Sequence, residues 1–311
     1  MDPLNCDSYN NLGIFNNMAY VLPSYKELIL EYDESTSTLW LSMNPKGRQC
    51  FTLHMLVEML DVFHALDQYG SLDPNKPDTI HYLVVQSAHA NIYNTGGDLQ
   101  YFFELVKRGD PIRMKEYGIV CIDLIHWALT GGKRHITTIS HVAGSALGGG
   151  FEAALACNYI IAEKQSTFAF PESLFGFFPG MGGYNLLARY TGPIEADRAF
   201  TTGKRYSAEE LAQLGVIYTL AETGAGKRTV QDFILSREAN KQTQWALQKI
   251  KQYQQTISYE ALEYSIDLWV DAAMKLTEKN LRMMQILTKR QIRKGTASDS
   301  YETQTKKVIA D

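Results

Sequence analysis

Two glutamates and two glycine-rich turns are the residues of this chain whose types and spacing suit them to chemistry. In "HVAGSALGGGFEAALACNYIIAEKQSTFAFPES" (His141 to Ser173), three adjacent glycines, Gly148, Gly149 and Gly150, run into an apolar helical pattern. Glu152 stands in the first turn of that helix, and Glu172 follows twenty residues later, just after Pro171. Glycine is a poor helix former, so its use at a helix start points to close approach of bare backbone to something outside the protein. The first-turn N–H groups lack intrahelical partners and sit at the positive end of the helix dipole. Phosphate is one guest for such a place. However, the lysine of GxxxxGK[ST] is missing, and the glycines are adjacent rather than spaced as GxGxxG. A second guest is a carbonyl oxygen that becomes negative during reaction. The turn "NTGGDL" follows a buried-strand pattern and offers the Gly97 amide as a second donor beside that of Gly149. Two carboxyl groups next to two such donors are suited to moving protons beside a thioester carbonyl. One serves the alpha carbon and the other serves the oxygen on the beta carbon. The spacing leaves open which glutamate does which.

Strands and helices that alternate along the chain must position these groups. "ELILEYDESTSTLWLSMN" predicts two strands around a turn near Asp33 to Ser35. Leu53, Leu56, Leu60 and Phe63 have helical spacing, with Gly70 as the stop. "IHYLVVQSA" and "ITTISHVAG" read as buried parallel strands, each leading into one of the glycine turns. Helices are expected after Gly97 and over Met114 to Thr130, and short strands at "NYIIAE" and "STFAF". Ser207 and Glu210 form a capping box for a helix that Gly215 ends. From about Val230 the pattern is helical, with Leu262, Ile266, Trp269, Ala273 and Leu276 on one face of a separate helical layer. Alternation of this kind predicts an α/β fold with a parallel sheet. Residues 1–26 read as a polar arm, 27–229 as the core, 230–293 as the helical region and 294–311 as a disordered tail.

The joint motif is similar to the signature of the crotonase (enoyl-CoA hydratase/isomerase) superfamily. It spans "HVAGSALGGGFEAALACNYIIAEKQSTFAFPESLFGFFPGMGG", and the resemblance covers roughly residues 27 to 290. It implies a spiral of strand-strand-helix units with a C-terminal helical region that forms trimers or hexamers. It also implies oxyanion donors at Gly97 and Gly149 and acid/base roles for Glu152 and Glu172. "FPGMGGYNLLARYTG" departs from the hydratase pattern toward the bacterial diffusible signal factor synthases, and "SIDLWVDAAMKLTEKNLRMMQIL" resembles their C-terminal region. That resemblance implies dehydration of 3-hydroxyacyl chains to cis-2-enoyl chains, followed by thioester hydrolysis to a free fatty-acid signal. No cofactor is implied. The substrate rides on the phosphopantetheine of acyl carrier protein, or on CoA, and a sensor kinase is a regulator in such systems. A long acyl chain needs an apolar tunnel, for which Phe102, Phe175, Met181, Trp269 and Leu276 are the candidate walls. The ordinary alternative for each is core packing.

Other readings are weaker. An ordinary enoyl-CoA hydratase or isomerase would share both glutamates. A non-catalytic binding protein on the same fold would have no need of them. His141, at the end of a buried strand, reads as structural, and the histidines have no metal-ligand spacing. Ser145 in "GSALG" is not a GxSxG nucleophile. Asp98 reads as a cap or brace of its turn. Lys46 and Arg48 read as a solvated pair rather than a phosphate contact, and the run Lys289, Arg290, Arg293 and Lys294 as a solvated helix face rather than a carrier-protein contact. The chain's 311 residues, 45% hydrophobic, suffice for a sizeable core. A net charge of -4 gives no global attraction to nucleic acid or anionic membrane. No apolar run is long enough to span a bilayer. Four scattered cysteines, Cys6, Cys50, Cys121 and Cys157, suggest reduced thiols and a cytoplasmic location.

Overall fold

The computed structural model describes residues 24–70, 80–255 and 257–293. Most of the expected arm and all of the expected tail lie outside the described residues. The chain begins with the antiparallel hairpin of β1 (Leu28–Asp33) and β2 (Thr38–Met43). Asp33 holds its turn, accepting from the backbone N–H and the hydroxyl of Ser35 at 3.0 and 2.6 Å. Helix α1 (Leu53–Tyr69) is capped by the Thr52 side chain, which accepts from the Met55 amide, and it stops at Gly70. Strands β3 (Tyr82–Ser87) and β4 (Ile92–Asn94) lead into α2 (Leu99–Arg108) and α3 (Pro111–Thr130). The last of these starts three residues before the expected Met114. Asp110 accepts from the Arg113 amide and Pro111 fills the first position, where a missing N–H costs nothing.

Then follow β5 (Thr137–Val142), β6 (Ser145–Leu147), α4 (Gly149–Ala156), β7 (Tyr159–Glu163), β8 (Thr167–Ala169) and a single 3-10 turn over Pro171–Phe175. Next come α5 (Gly183–Thr191), α6 (Pro193–Thr202), β9 (Arg205–Ser207), α7 (Ala208–Gln213) and β10 (Thr219–Ala221). The capping box at Ser207 and Glu210 is present. Four helices finish the described chain: α8 (Gly226–Glu238), α9 (Lys241–Gln255), α10 (Tyr259–Met274) and α11 (Glu278–Arg293).

The strands form two sheets, ordered β1-β2-β3-β5-β7-β10 and β4-β6-β8-β9. All neighbours are parallel except β1 with β2 and β8 with β9. The order explains the shape. After β3, β5 and β7 the chain steps onto a short strand of the second sheet, and after the first two of these steps it returns through helices. The repeat is strand-strand-helix, and its stacking makes the spiral that the family resemblance implies.

The central strands of the large sheet, β2, β3, β5 and β7, are buried on both faces, as near-continuous apolar strands require. In register across it, Trp40, Val84, Ile139 and Tyr159 form a row facing Val230 and Ile234 of α8. The alternate residues Leu41, Val85 and Ile160 belong to the main core with α1 and α3. Ser140 shares that row, and its hydroxyl is satisfied by the Tyr93 hydroxyl at 2.8 Å. Burying one such aliphatic side chain contributes about 1.5–3 kcal/mol. Helix α10 packs against α3. Its buried face carries Leu262, Ile266, Trp269 and Ala273.

Candidate active site

The two glycine turns meet where the strands of the large sheet hand over to the small one. Gly96, with φ 93°, lets the chain after β4 reverse, and its amide donates to the Asn94 side chain at 2.8 Å. The Phe51 amide holds the Gly96 carbonyl at 2.8 Å, and the Tyr117 hydroxyl holds the Phe51 carbonyl at 2.7 Å. Gly148 enters α4 with φ 52°, and its amide donates to the Ala169 carbonyl at 2.9 Å. A Cβ on Gly149 would lie 3.5 Å from the Gly97 nitrogen and 2.5 Å from the Met181 methyl. Among the described residues, the Gly97 and Gly149 amides have no backbone acceptor, and both residues line one cavity of about 850 Å³. Two neighbouring unpaired donors held by a rigid frame are the geometry an oxyanion needs.

Glu152 is buried in the first turn of α4, and its Oε1 accepts from the Gly183 amide at 2.8 Å. Position 183 must be small, because a Cβ on Gly183 would come 2.8 Å from that same oxygen, and Gly182 before it has φ 85°. Glu172 is placed by the 3-10 turn that Pro171 opens and Gly176, in the left-handed region, closes. Although the residue is only partly buried, its Oε2 is shut from solvent and has no hydrogen-bond partner among the described residues. Burial raises the Glu172 carboxyl to about 8. Burial, and then the nearby Glu172, hold Glu152 well above the usual carboxylate range. Two carboxyl groups that burial keeps protonated in one cavity do not readily ionise together.

This proton retention has a measurable consequence. Between the ordinary value of 4.5 and about 8, the folded chain keeps the Glu172 proton while the unfolded chain loses it. The Glu172 contribution to stability therefore falls as pH rises through that window and is flat above it. Replacing Glu172 with Gln removes the term. The stability advantage of the Gln variant is expected to widen from pH 4.5 to 8, by at most about 5 kcal/mol. Thermal unfolding of both proteins across pH checks this, and parallel curves would contradict it.

The cavity wall contains Phe102, Phe175, Met181 and Trp269, four of the five residues expected from the sequence. Trp269 stacks on Phe177 with centroids 5.2 Å apart and meets the Phe102 edge at 5.1 Å. Gly180 lies flat against the Trp269 ring, which a Cβ would touch at 2.4 Å. Leu276 is not in the wall. Helix α10 ends at Met274, so the helical repeat that projects Trp269 inward no longer applies two turns later. Leu276 instead packs, partly buried, against the main core. Tyr117, Cys121, Phe177 and Gln291 line the cavity and were not anticipated. A second, almost wholly apolar cavity of about 430 Å³ shares Cys121 and Met181 with the first and reaches Met59, Phe63 and Leu124.

Several other residues find structural partners. Asp98 caps α2 by accepting from the Gln100 and Tyr101 amides, and its other oxygen pairs with Arg48 at 2.5 Å. Arg48 is thus neither a solvated charge nor a free phosphate contact. It braces the Gly97 turn. Lys46 is exposed, as is Lys289. The side chains of Arg290, Arg293 and Lys294 lie outside the described residues. His141 is buried, with Nδ1 2.9 Å from Gln86 and Nε2 3.4 Å from Glu163, and burial lowers its basicity. Ser145 meets Thr167 at 3.1 Å. Cys50, Cys121 and Cys157 are free and buried. No group of three metal-ligating side chains comes together, and no helix is long and apolar enough to cross a membrane, among the described residues.

Residues 39–283 match the profile of the family described as enoyl-CoA hydratase/isomerase. A crotonyl-CoA hydratase from Syntrophomonas wolfei is 26% identical over 194 residues, which are 62% of this chain and 68% of that protein. The fatty acid oxidation complex subunit alpha of Idiomarina loihiensis is 40% identical over 87 residues, but the chain spans only 12% of it. Among solved structures, an enoyl-CoA hydratase from Bacillus halodurans superimposes with a TM-score of 0.69 at 19% identity, covering 84% of this chain and all of that one. Pseudomonas aeruginosa DspI superimposes with a TM-score of 0.59 at 23% identity, covering 87% of this chain and 99% of that one. At these identities the superpositions carry the fold.

Proposed function

The chain belongs to the enoyl-CoA hydratase/isomerase family, and on that footing we propose that it is a diffusible signal factor synthase. In this reading it dehydrates long 3-hydroxyacyl chains on acyl carrier protein to cis-2-enoyl chains and then hydrolyses the thioester to release the free acid. One observation carries the chemistry. Two proton-retaining carboxyl groups and two glycines whose amides have no backbone acceptor among the described residues line the same cavity. The finer reading is supported by the segments "FPGMGGYNLLARYTG" and "SIDLWVDAAMKLTEKNLRMMQIL", which resemble such synthases. The aromatic wall of Phe102, Phe175, Phe177 and Trp269 supports an apolar acyl substrate.

The thioester oxygen accepts from the Gly97 and Gly149 amides, so negative charge that builds there meets fixed donors. Glu172, the group without a partner and with a value near 8, is the carboxylate that takes the alpha proton. Glu152, held protonated by burial and by its neighbour's charge, donates to the departing 3-hydroxyl. Water leaves as the beta carbon–oxygen bond breaks. Glu152 is then ionised beside the water it has formed, and Glu172 is neutral. In hydrolysis, Glu152 accepts a proton as that water bonds to the carbonyl carbon. The carbon–sulfur bond breaks, and Glu172 protonates the thiolate. Both carboxyl groups return to their starting states.

A second reading, hydration or isomerisation of enoyl-CoA, is favoured by the relatedness to crotonyl-CoA hydratase and uses the same groups. The two are separated by offering 3-hydroxyacyl chains of several lengths on acyl carrier protein and on CoA. Free acid is measured by mass spectrometry and double-bond geometry by NMR. The synthase reading predicts release of long cis-2-enoic acid from the carrier protein. Reversible trans-2-enoyl-CoA hydration with no free acid would establish the alternative.

A further inference from the structure

One polar group in the cavity wall is not used by the chemistry above. Gln291, on α11, is buried, with 5% of its surface exposed. Its Nε2 donates to the Gly97 carbonyl at 3.0 Å and lies 3.5 Å from that of Thr95. Its Oε1 is sealed from bulk solvent and finds no donor among the described residues. The neighbours fix which end is which. Turning the amide over would set Oε1 against two carbonyl oxygens and leave the NH₂ group without an acceptor. A buried acceptor without a donor is destabilising, so one placed in a ligand cavity marks where a ligand brings an N–H or O–H.

We propose that Gln291 binds the carrier arm of the substrate. Its Oε1 accepts the amide N–H nearest the sulfur of an acyl-pantetheine thioester, while its Nε2 positions the Gly97 turn. The inference rests on the thioester reading given above. A carbonyl held by the Gly97 and Gly149 amides has two substituents, the alpha carbon and the sulfur. The alpha carbon must face the Glu152 and Glu172 carboxyl groups. Gln291 hydrogen-bonds to the Gly97 turn and to neither carboxyl group. It therefore serves the sulfur side, where the arm presents its first amide a short ethylene link beyond the sulfur. The 3-hydroxyl, on the other side, already has the two glutamates. This contact gives α11 a part in recognition, because the helix carries an acceptor for a group common to CoA and acyl carrier protein.

The test compares an acyl-pantetheine thioester with an analogue in which an ester oxygen replaces that amide N–H. The wild-type protein is expected to prefer the amide by about tenfold in kcat/KM, the value of one buried hydrogen bond. Gln291→Met is expected to bring the ratio close to one, whatever fraction of its activity remains. Gln291→Glu keeps an oxygen acceptor but loses the hold on Gly97, so it should be slower on both arms and keep the preference. A merely structural glutamine would slow both substrates equally and leave the ratio unchanged in all variants. Equal turnover of the two arms by the wild-type protein, or a preference that survives in Gln291→Met, overturns the role of Gln291 and leaves the thioester chemistry standing. No turnover of either arm by the wild-type protein overturns both.

Discussion

Glu172→Gln and Glu152→Gln are each expected to lower the rate of the proposed dehydration by roughly 10³-fold, within the usual span for a lost general acid or base. The expectation follows from what glutamine retains and what it loses. A glutamine at position 152 keeps an oxygen for the Gly183 amide, which donates to Oε1 at 2.8 Å. A glutamine at position 172 keeps the shape of a side chain whose Oε2 has no protein partner among the described residues. Neither variant leaves a cavity or strands a buried charge, so both should fold. What disappears is the ability to exchange a proton. The two effects are not additive, because the groups act as a pair, and the double variant should be little slower than either single one. The wild-type pH profile follows from the same chemistry. Since Glu172 must be ionised to act and titrates near 8, kcat/KM should rise toward that pH with a slope approaching tenfold per unit. Single-turnover assays read all of this, and turnover within a few-fold of wild type in either variant would remove the acid/base assignment.

Gly148→Ala is expected to cost about 10²-fold or more in rate, together with about 1–3 kcal/mol of stability. Two independent facts drive this. Gly148 has φ 52° and ψ −125°, a backbone conformation that residues with a Cβ rarely adopt. The added Cβ would also fall 2.1 Å from the Glu172 Oε1, so the carboxyl group must move. In the proposed mechanism, displacing it takes the base from the alpha carbon, and strain at residue 148 is expected to disturb the neighbouring Gly149 amide. The variant should still bind a thioester product analogue, because the cavity walls at Phe102 and Trp269 are untouched. Calorimetry of that binding beside the rate measurement separates loss of chemistry from loss of the site. A rate unaffected by Gly148→Ala would mean that the Glu172 position in the structure does not matter for turnover.

Much of this site was legible in the sequence, because its parts are local. A glycine run before an apolar helix announces exposed amides, and a glutamate in the first helical turn lies beside them by helix geometry alone. The strands carrying the turns were legible for the same reason, as short apolar runs bounded by glycine. What escaped depends on contacts between distant segments. Gly183 donates to Glu152 across 31 positions, and Gln291 reaches Gly97 across 194. Only the paired glycines of "PGMGG" hinted at the first, and nothing local hinted at the second. Arg48 looked like a surface charge because its partner Asp98 is fifty residues away. The synthase-like segment suggests Leu276 for the cavity, but helix α10 stops at Met274, before the helical repeat reaches it. Helix α3 began earlier than expected because the hydrophobic pattern starts at Met114, whereas the helix starts at the Asp110-Pro111 cap.

The most direct test of the pairing between the carboxyl groups and a thioester held by two amides is hydrogen exchange at the substrate's alpha carbon. A 3-hydroxyacyl thioester is incubated in deuterium oxide with each protein, and deuterium at C2 of the recovered substrate is measured by mass spectrometry. Wild-type protein should wash deuterium into C2, and Glu172→Gln should not, because it lacks the base while keeping the oxyanion donors. Exchange at the wild-type rate in Glu172→Gln, or none in the wild-type protein, would contradict the placement of proton transfer at this pair.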